Sequence, residues 1–427
     1  MSKNNENKLV PRLRFPEFAM EGEWEILPLS KLSYEITEKT KGRKFKLMSI
    51  TSGVGLVSQI EKFGKEIAGN SYDNYYVLKK GDFAYNKSST KLYPEGEVAM
   101  LEKEENGAVP NSIFTCFSFD KNKIYPIFAK YPFINNIHGR WLKKFIAVGA
   151  RANGALQVNS KDLFSIPFPY PSFKEQQKIA ACLSSLDDVI TAENKKLEVL
   201  KEHKKGLLQN LFPQEGETVP KFRFEEFQDS DAWQEDTLLN IASFRRGSFP
   251  QPYGLSEWYD DEKGMPFIQV FDVDDNFRLK PATKNKISEL AAKQSVFIPK
   301  GTLIITLQGS IGRVAITQYD AYIDRTILLF EEFHQEIDIT FFAYTLFLLF
   351  EIEKQKAPGG IIKTITKEVL SNFVVKLPSI EEQRKISSCL SSLDELINAQ
   401  SQKIETLKLH KKGLLQGLFP DVNEHNG

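Results

Sequence analysis

Two loops in this 427-residue chain collect the residue types that hydrogen-bond to phosphates and to base edges. The first closes Tyr76-Val-Leu-Lys-Lys-Gly-Asp-Phe-Ala-Tyr-Asn-Lys-Ser-Ser-Thr90, which reads as a strand, a Gly turn and a second strand. It opens into Lys87, Ser88, Ser89, Lys91 and Tyr93. The second closes Val296-Phe-Ile-Pro-Lys-Gly-Thr-Leu-Ile-Ile-Thr-Leu-Gln-Gly-Ser-Ile-Gly-Arg-Val314 and carries Gln308, Ser310 and Arg313. Such side chains can donate to phosphates or read base edges, and Arg on guanine or Gln on adenine are the paired cases. Further basic, amide or aromatic groups fall in predicted loops: 39–46, Arg140 to Lys144, and Arg151 with Asn153. In the second half these are Arg245, Arg246, Tyr253, and Lys363 with Thr364 in Gly359-Gly-Ile-Ile-Lys-Thr. A solvated surface loop has the same composition, so each loop alone decides nothing. Recurrence adds weight, because Arg151 and Lys363 both fall shortly before a proline-bearing strand and a long helix.

Signals for catalysis are missing from the sequence. There is no Asn/Asp-Pro-Pro-Tyr/Phe tetrapeptide, no Gly-rich strand-turn signature for adenosyl-methionine and no GxxxxGK[ST] loop. Five scattered histidines (138, 203, 334, 410, 425) give neither HExxH nor zinc spacing. Gln308-Gly-Ser-Ile-Gly312 lacks the first glycine of a nucleophile elbow and reads as a turn. No cofactor and no metal are expected. Cysteines 116, 182 and 389 form no CxxC pair, which suits a reducing, cytoplasmic setting. With 56 basic and 56 acidic residues the net charge is zero. Bulk charge therefore argues against a stand-alone nucleic-acid binder, though local patches or a partner can supply the grip. The longest apolar run, 341–350, is too short to span a membrane and predicts a buried helix.

The elements that must position these loops are written twice. Pro171-Ser-Phe-Lys-Glu-Gln-Gln-Lys-Ile-Ala-Ala-Cys-Leu-Ser-Ser-Leu-Asp187 returns about 207 residues later as Pro378-Ser-Ile-Glu-Glu-Gln-Arg-Lys-Ile-Ser-Ser-Cys-Leu-Ser-Ser-Leu-Asp394. The likeness runs on into a Lys-Lys-Gly-Leu-Leu-Gln-x-Leu-Phe-Pro tail, with 28 of 43 positions identical between 171–213 and 378–420. A fainter echo, Val10-Pro-Arg-Leu-Arg-Phe and Val219-Pro-Lys-Phe-Arg-Phe, opens each half. The inserts between scarcely resemble each other. The order is cyclic, since one opener follows the first tail and the other stands at the N-terminus.

Each repeated block predicts a long helix. Ser172 and Ser379 are placed as N-caps, with Glu175 and Glu382 at capping-box spacing. Apolar residues then recur at heptad spacing: Ile179, Leu183, Leu186, Ile190, Leu197 and Leu200 in one, and Ile386, Leu390, Leu393, Ile397, Ile404 and Leu407 in the other. Leu207 and Leu211, and Leu414 and Leu418, extend the two series, while Glu193 and Lys204, and Gln400 and Lys411, fill the gaps. A helix of roughly 37 residues is about 55 Å long, and two matched ones most simply pack on each other. An antiparallel coiled coil, the expected arrangement, would relate the halves by a pseudo-twofold axis. Chain order alone does not force that direction, and two separate domains, each burying its own helix, are the alternative. The recurring His203 and His410 are expected at an interface. The expected fold is α/β in the broad sense (α+β), with globular domains alternating with helical spacers. The expected segments are 10–170, 171–213, 219–377 and 378–420, with flexible ends at 1–9 and 421–427.

The doubled Pro-Ser-x-x-Glu-Gln-x-Lys-Ile block followed by Lys-Lys-Gly-Leu-Leu-Gln-x-Leu-Phe-Pro resembles the specificity subunits of type I restriction–modification systems, across nearly the whole chain. The resemblance implies a subunit without catalytic activity whose two inserts are target-recognition domains, each reading half of a split site on double-stranded DNA. It implies that the helices space the two readers and dock two adenine methyltransferase subunits, with ATP-dependent restriction subunits joining the complex. Because the inserts differ, the two half-sites are expected to differ, at centres about one helical turn, or ~10 bp, apart. The alternatives are a coiled-coil scaffold with two protein- or carbohydrate-binding heads, and an enzyme with an unrecognised site.

Overall fold

The computed structural model describes residues 9–67, 71–146, 155–356, 365 and 367–420. They group into two compact units: Met1–Asn194 with Lys403–Gly427, and Lys195–Gln402.

In the first unit, strand Glu25–Pro28 pairs antiparallel with Pro167–Tyr170, directly before the first long helix. A four-stranded antiparallel sheet follows the order Ser33–Glu35, Phe114–Phe119, Phe83–Asn86, Glu97–Met100. Two short pairs flank it, Met48–Thr51 with Gly55–Ser58 and Tyr76–Lys79 with Asn106–Val109. The inward faces of these strands are aromatic, so Phe83, Phe117 and Phe119 close a core with Phe128 and Phe133 of helix Pro126–Ile134. Leu9, assigned to a flexible end by the sequence reading, is buried in this core, and its carbonyl accepts the Trp24 N–H at 2.8 Å.

The second unit repeats the plan with different residues. Gln234–Thr237 pairs with Val374–Leu377, and a sheet runs Ala242–Arg246, Ile327–Phe333, Leu303–Thr306, Val314–Ile316. A second sheet has the order Asn285–Ile287, Met265–Ile268, Ala321–Ile323, Val296–Ile298, with one parallel pairing. Helix Ile339–Lys356 buries Phe341, Phe342, Leu346 and Phe350. Sheets that are almost wholly antiparallel make the fold α+β. Both strand–turn–strand segments carry the chain from one sheet into another, not into a hairpin. Gly81 and Gly301, at φ +90 and +88, make those corners.

The long helices are Phe173–Leu211 and Ile380–Leu418, 39 residues each, or about 58 Å. In the first unit Lys403 Nζ lies 2.5 Å from Glu193 and Lys411 bonds Asp187, so one helix descends as the other ascends. Along the apolar seam Ile179, Leu183, Ile386, Leu390, Leu393, Ile397 and Ile404 are buried. Leu186, Ile190, Leu197, Leu200 and Leu407 are half-buried. His203 and His410 are exposed.

The capping box forms only in half. Ser172 and Ser379 accept the N–H of Glu175 and Glu382, each at 3.4 Å. The two carboxylates do not turn back to the cap. Glu175 takes both arms of Arg14 at 2.9 and 2.7 Å, and Glu382 takes those of Arg223 at 2.8 and 2.6 Å. The remaining donors of each guanidinium reach carbonyls, those of Glu21 and Gly22 in one case and Ser230 and Asp231 in the other. A buried ion pair holds only when its spare donors are satisfied in this way. The cyclic order also has its contacts: Leu13 N donates to Gly417 O in the first unit, and Phe222 N to Asn210 O in the second, both at 2.8 Å.

Candidate nucleic-acid interface

Each head presents its polar loop at the same end of its antiparallel sheet. In the first, Lys87 N donates to Ile113 O at 2.9 Å as the chain leaves strand Phe83–Asn86. In the second, Leu307 N donates to Thr326 O at 2.8 Å as it leaves Leu303–Thr306. A later segment reaches this end of the sheet in both, at the loop itself in the first head and at the end of strand Ala242–Arg246 in the second. Leu156 N bonds Lys87 O and Ala155 bridges Ser88, while Arg246 Nη2 reaches Ile365 O at 3.4 Å. The loops thus correspond in position although their sequences do not.

The first loop is held by Thr90, whose N–H donates to Tyr93 O and whose hydroxyl accepts Tyr93 N, both at 3.0 Å. Lys91 is exposed, while Lys87, Ser88, Ser89 and Tyr93 are half-buried. The Tyr93 ring lies 6.2 Å from His138, roughly parallel to it. His138 is fully buried, with Nε2 3.0 Å from Gly96 O, and burial pushes its pKa down to about 4. It is a neutral core residue. Glu97 beneath the loop accepts Gly53 N at 3.2 Å, and burial raises its pKa. Arg140 is exposed on helix Ile137–Leu142. Arg151 and Asn153 lie outside the described residues, as do Lys363 and Thr364.

In the second loop, Thr306 closes the turn by donating to Ser310 O and accepting Arg313 N at 3.0 Å. Gln308 and Ser310 are exposed. Arg313 is tied inward, bonding Val273 O at 3.0 Å and Asp275 at 3.0 Å, so its fork holds two loops together. Arg245 is exposed but paired across strands with Glu331 at 2.6 Å. Tyr253 is half-buried against Phe249 and donates to Asp324. Burial first, and that carboxylate second, raise its pKa, so it remains a donor. Arg325, which sequence reasoning passed over, is exposed with its guanidinium 5.2 Å over the Tyr253 ring, one residue before Thr326 at the sheet's end. Its signal was weak, a single Arg between Asp324 and Thr326.

This collection of Lys, Ser, Gln, Arg and amide-bearing loops can donate to phosphates and base edges. Among the described residues no group of His, Cys, Asp or Glu could hold a metal ion, and no helix is long and apolar enough to cross a membrane.

The family described as the type I restriction modification DNA specificity domain matches residues 30–202 and again 233–409. The chain belongs to this family, and the double match gives it two target-recognition domains. The type I restriction enzyme MjaVIII specificity subunit of Methanocaldococcus jannaschii is 26% identical over 65% of this chain and 67% of its own length. The MjaIX specificity subunit of the same organism is 25% identical over 78% and 79% respectively. The fold is similar to the crystal structure of a type I restriction–modification S subunit from M. genitalium, with TM-score 0.59 at 17% identity, over 97% of this chain and 100% of that one. Nothing in these likenesses supports a protein- or carbohydrate-binding scaffold.

Proposed function

We propose that this chain is a non-catalytic, cytoplasmic reader of a split, asymmetric DNA target. The head within 10–170 takes one half-site and the head within 219–377 the other. The carrying observation is that the main antiparallel sheets of the two heads share one strand order and one loop position while their loop residues differ. Equal scaffolds fix where a loop meets DNA, and unequal loops make the half-sites unequal. Lys87, Ser88, Ser89, Lys91, Tyr93 and Arg140 are assigned to the first contact, with Arg151 and Asn153. Gln308, Ser310, Arg246 and Arg325 are assigned to the second, with Lys363 and Thr364. Arg245, Tyr253 and Arg313 would support the second surface from behind.

The helical segments 171–213 and 378–420 would dock two adenine methyltransferase subunits, to which restriction subunits add the ATP-dependent nuclease. Support comes from residues that packing does not explain. Glu198, Lys201, Lys205 and Gln209 follow one exposed helix face, and Glu405, Lys408, Lys412 and Gln416 repeat them identically, also exposed. Identical exposed stripes suit two copies of one partner. The test is mapping of methylated adenine in a methylation-free host carrying the methyltransferase subunit, with and without this chain. A new split motif seen only with the chain is expected. A soluble complex that yields no motif would overturn the reading.

A further inference from the structure

The strand pair Met48–Thr51 and Gly55–Ser58 turns through Ser52, Gly53 and Val54, and this tip is tied to the loop at 87–96. Ser52 Oγ lies 3.2 Å from Thr90 Oγ1, and Gly53 N donates to the buried Glu97 at 3.2 Å. Leu92 lies over Gly53, where a Cβ would fall 3.0 Å from Leu92 Cδ2, and Gly53 has φ +77. Leu92 thus lies against the turn that carries Val54, and both aliphatic side chains are exposed, Val54 at 68% and Leu92 at 60%. Single exposed aliphatics are ordinary. A neighbouring pair, at the tips of two hydrogen-bonded loops and next to Lys91 at the sheet end where the polar loop emerges, calls for an occupant.

We infer that Val54 and Leu92 form an apolar prong that reads the C5-methyl group of a thymine in the half-site of the first head. This inference rests on the DNA-reading function proposed above. Thymine is the one base whose major-groove edge offers an apolar group, and aliphatic contact with that methyl discriminates it from cytosine. Lys91 and Lys87 would hold the flanking phosphates, and the Ser52–Thr90 and Gly53–Glu97 bonds keep the prong from folding back. The second head has no such prong in its corresponding loop, where Gln308 and Ser310 are exposed and Ile311 is buried. The two heads would therefore use different contact chemistry.

The test uses the full chain in complex with its methyltransferase subunits and a duplex carrying the mapped target. Each thymine is replaced in turn by deoxyuridine, which removes only the methyl group, and affinity is measured for wild type and the doubly substituted V54A/L92A complex. At one thymine of one half-site, wild type should weaken roughly four-fold, the weight of one buried methyl, and V54A/L92A should lose nothing further. Sequence-specific binding that is indifferent to every deoxyuridine overturns the prong and leaves the reading function standing. So does equal sensitivity in wild type and variant, or a first half-site without an A·T pair. Binding with no sequence preference at all overturns the reading function itself.

Discussion

Lys204 of the first long helix lies 2.6 Å from Asp394 of the second, and the other oxygen of that carboxylate receives the Tyr344 hydroxyl at 2.5 Å. The Lys204 ammonium also sits 5.3 Å from the Tyr344 ring centre. The first unit builds the same junction from other parts of the chain: Lys411 and Tyr131 both bond Asp187. One carboxylate thus joins two helices and a head. Burial first, and the carboxylate second, raise the pKa of both tyrosines, so they remain donors at any physiological pH.

Because the pair is mostly desolvated, removing one charge should cost more than removing both. Asp394→Asn and Lys204→Met should each destabilise the second unit by about 1–3 kcal/mol, with clear coupling in the double variant. Denaturant unfolding of the four chains measures this. Strict additivity would show that the seam alone sets the helix pairing.

Arg14 with Glu175, and Arg223 with Glu382, are more deeply buried. Glu382→Gln leaves a guanidinium short of its partner and should cost roughly 3–5 kcal/mol. The same change at Glu336, in the exposed Arg384–Glu336 pair, should cost less than about 1 kcal/mol. Thermal melts of the two variants should rank in that order.

His138 gives the first unit an acid limb. Its imidazole titrates near 4 when folded, against about 6.5 in an unfolded chain. The unfolded chain takes up the proton first, so stability falls as pH drops from 6.5 toward 4, by up to roughly 3 kcal/mol. In H138Q the side-chain amide can still donate to Gly96 O, and the fall should be smaller. Identical pH profiles for the two chains would falsify the assignment.

Arg313 is expected to be a brace. Arg313→Ala should destabilise the second head without altering base preference, whereas Gln308→Ala should relax one position of the second half-site by about 1–3 kcal/mol. Methylation mapping with each variant separates the two roles.

Inserting four residues in either long helix adds about 6 Å. The non-specific gap between half-sites should change while both half-site sequences persist. An unchanged gap would sink the spacer role.

The sequence by itself determined the helices, because their signals are local and written twice. Heptad spacing, a serine cap and a proline before it specify a helix through neighbours three and four residues apart. It also located both polar loops, since glycine corners and short apolar strands mark where a chain must turn. Only the tertiary structure decided what those loop residues do. Arg313 and Arg245 look alike as free donors in the sequence, yet Asp275 and Glu331 occupy them, and those partners lie 38 and 86 residues away. Glu175 has capping-box spacing, but Arg14, 161 residues distant, outbids the cap because a bidentate, charged partner is the stronger one. The prong of Val54 and Leu92 has no local signature, since two isolated aliphatics become a surface only when folding brings two turns together. Short-range periodicity is legible along the chain; the pairing of charges and the meeting of loops are long-range, and only the folded chain supplies them.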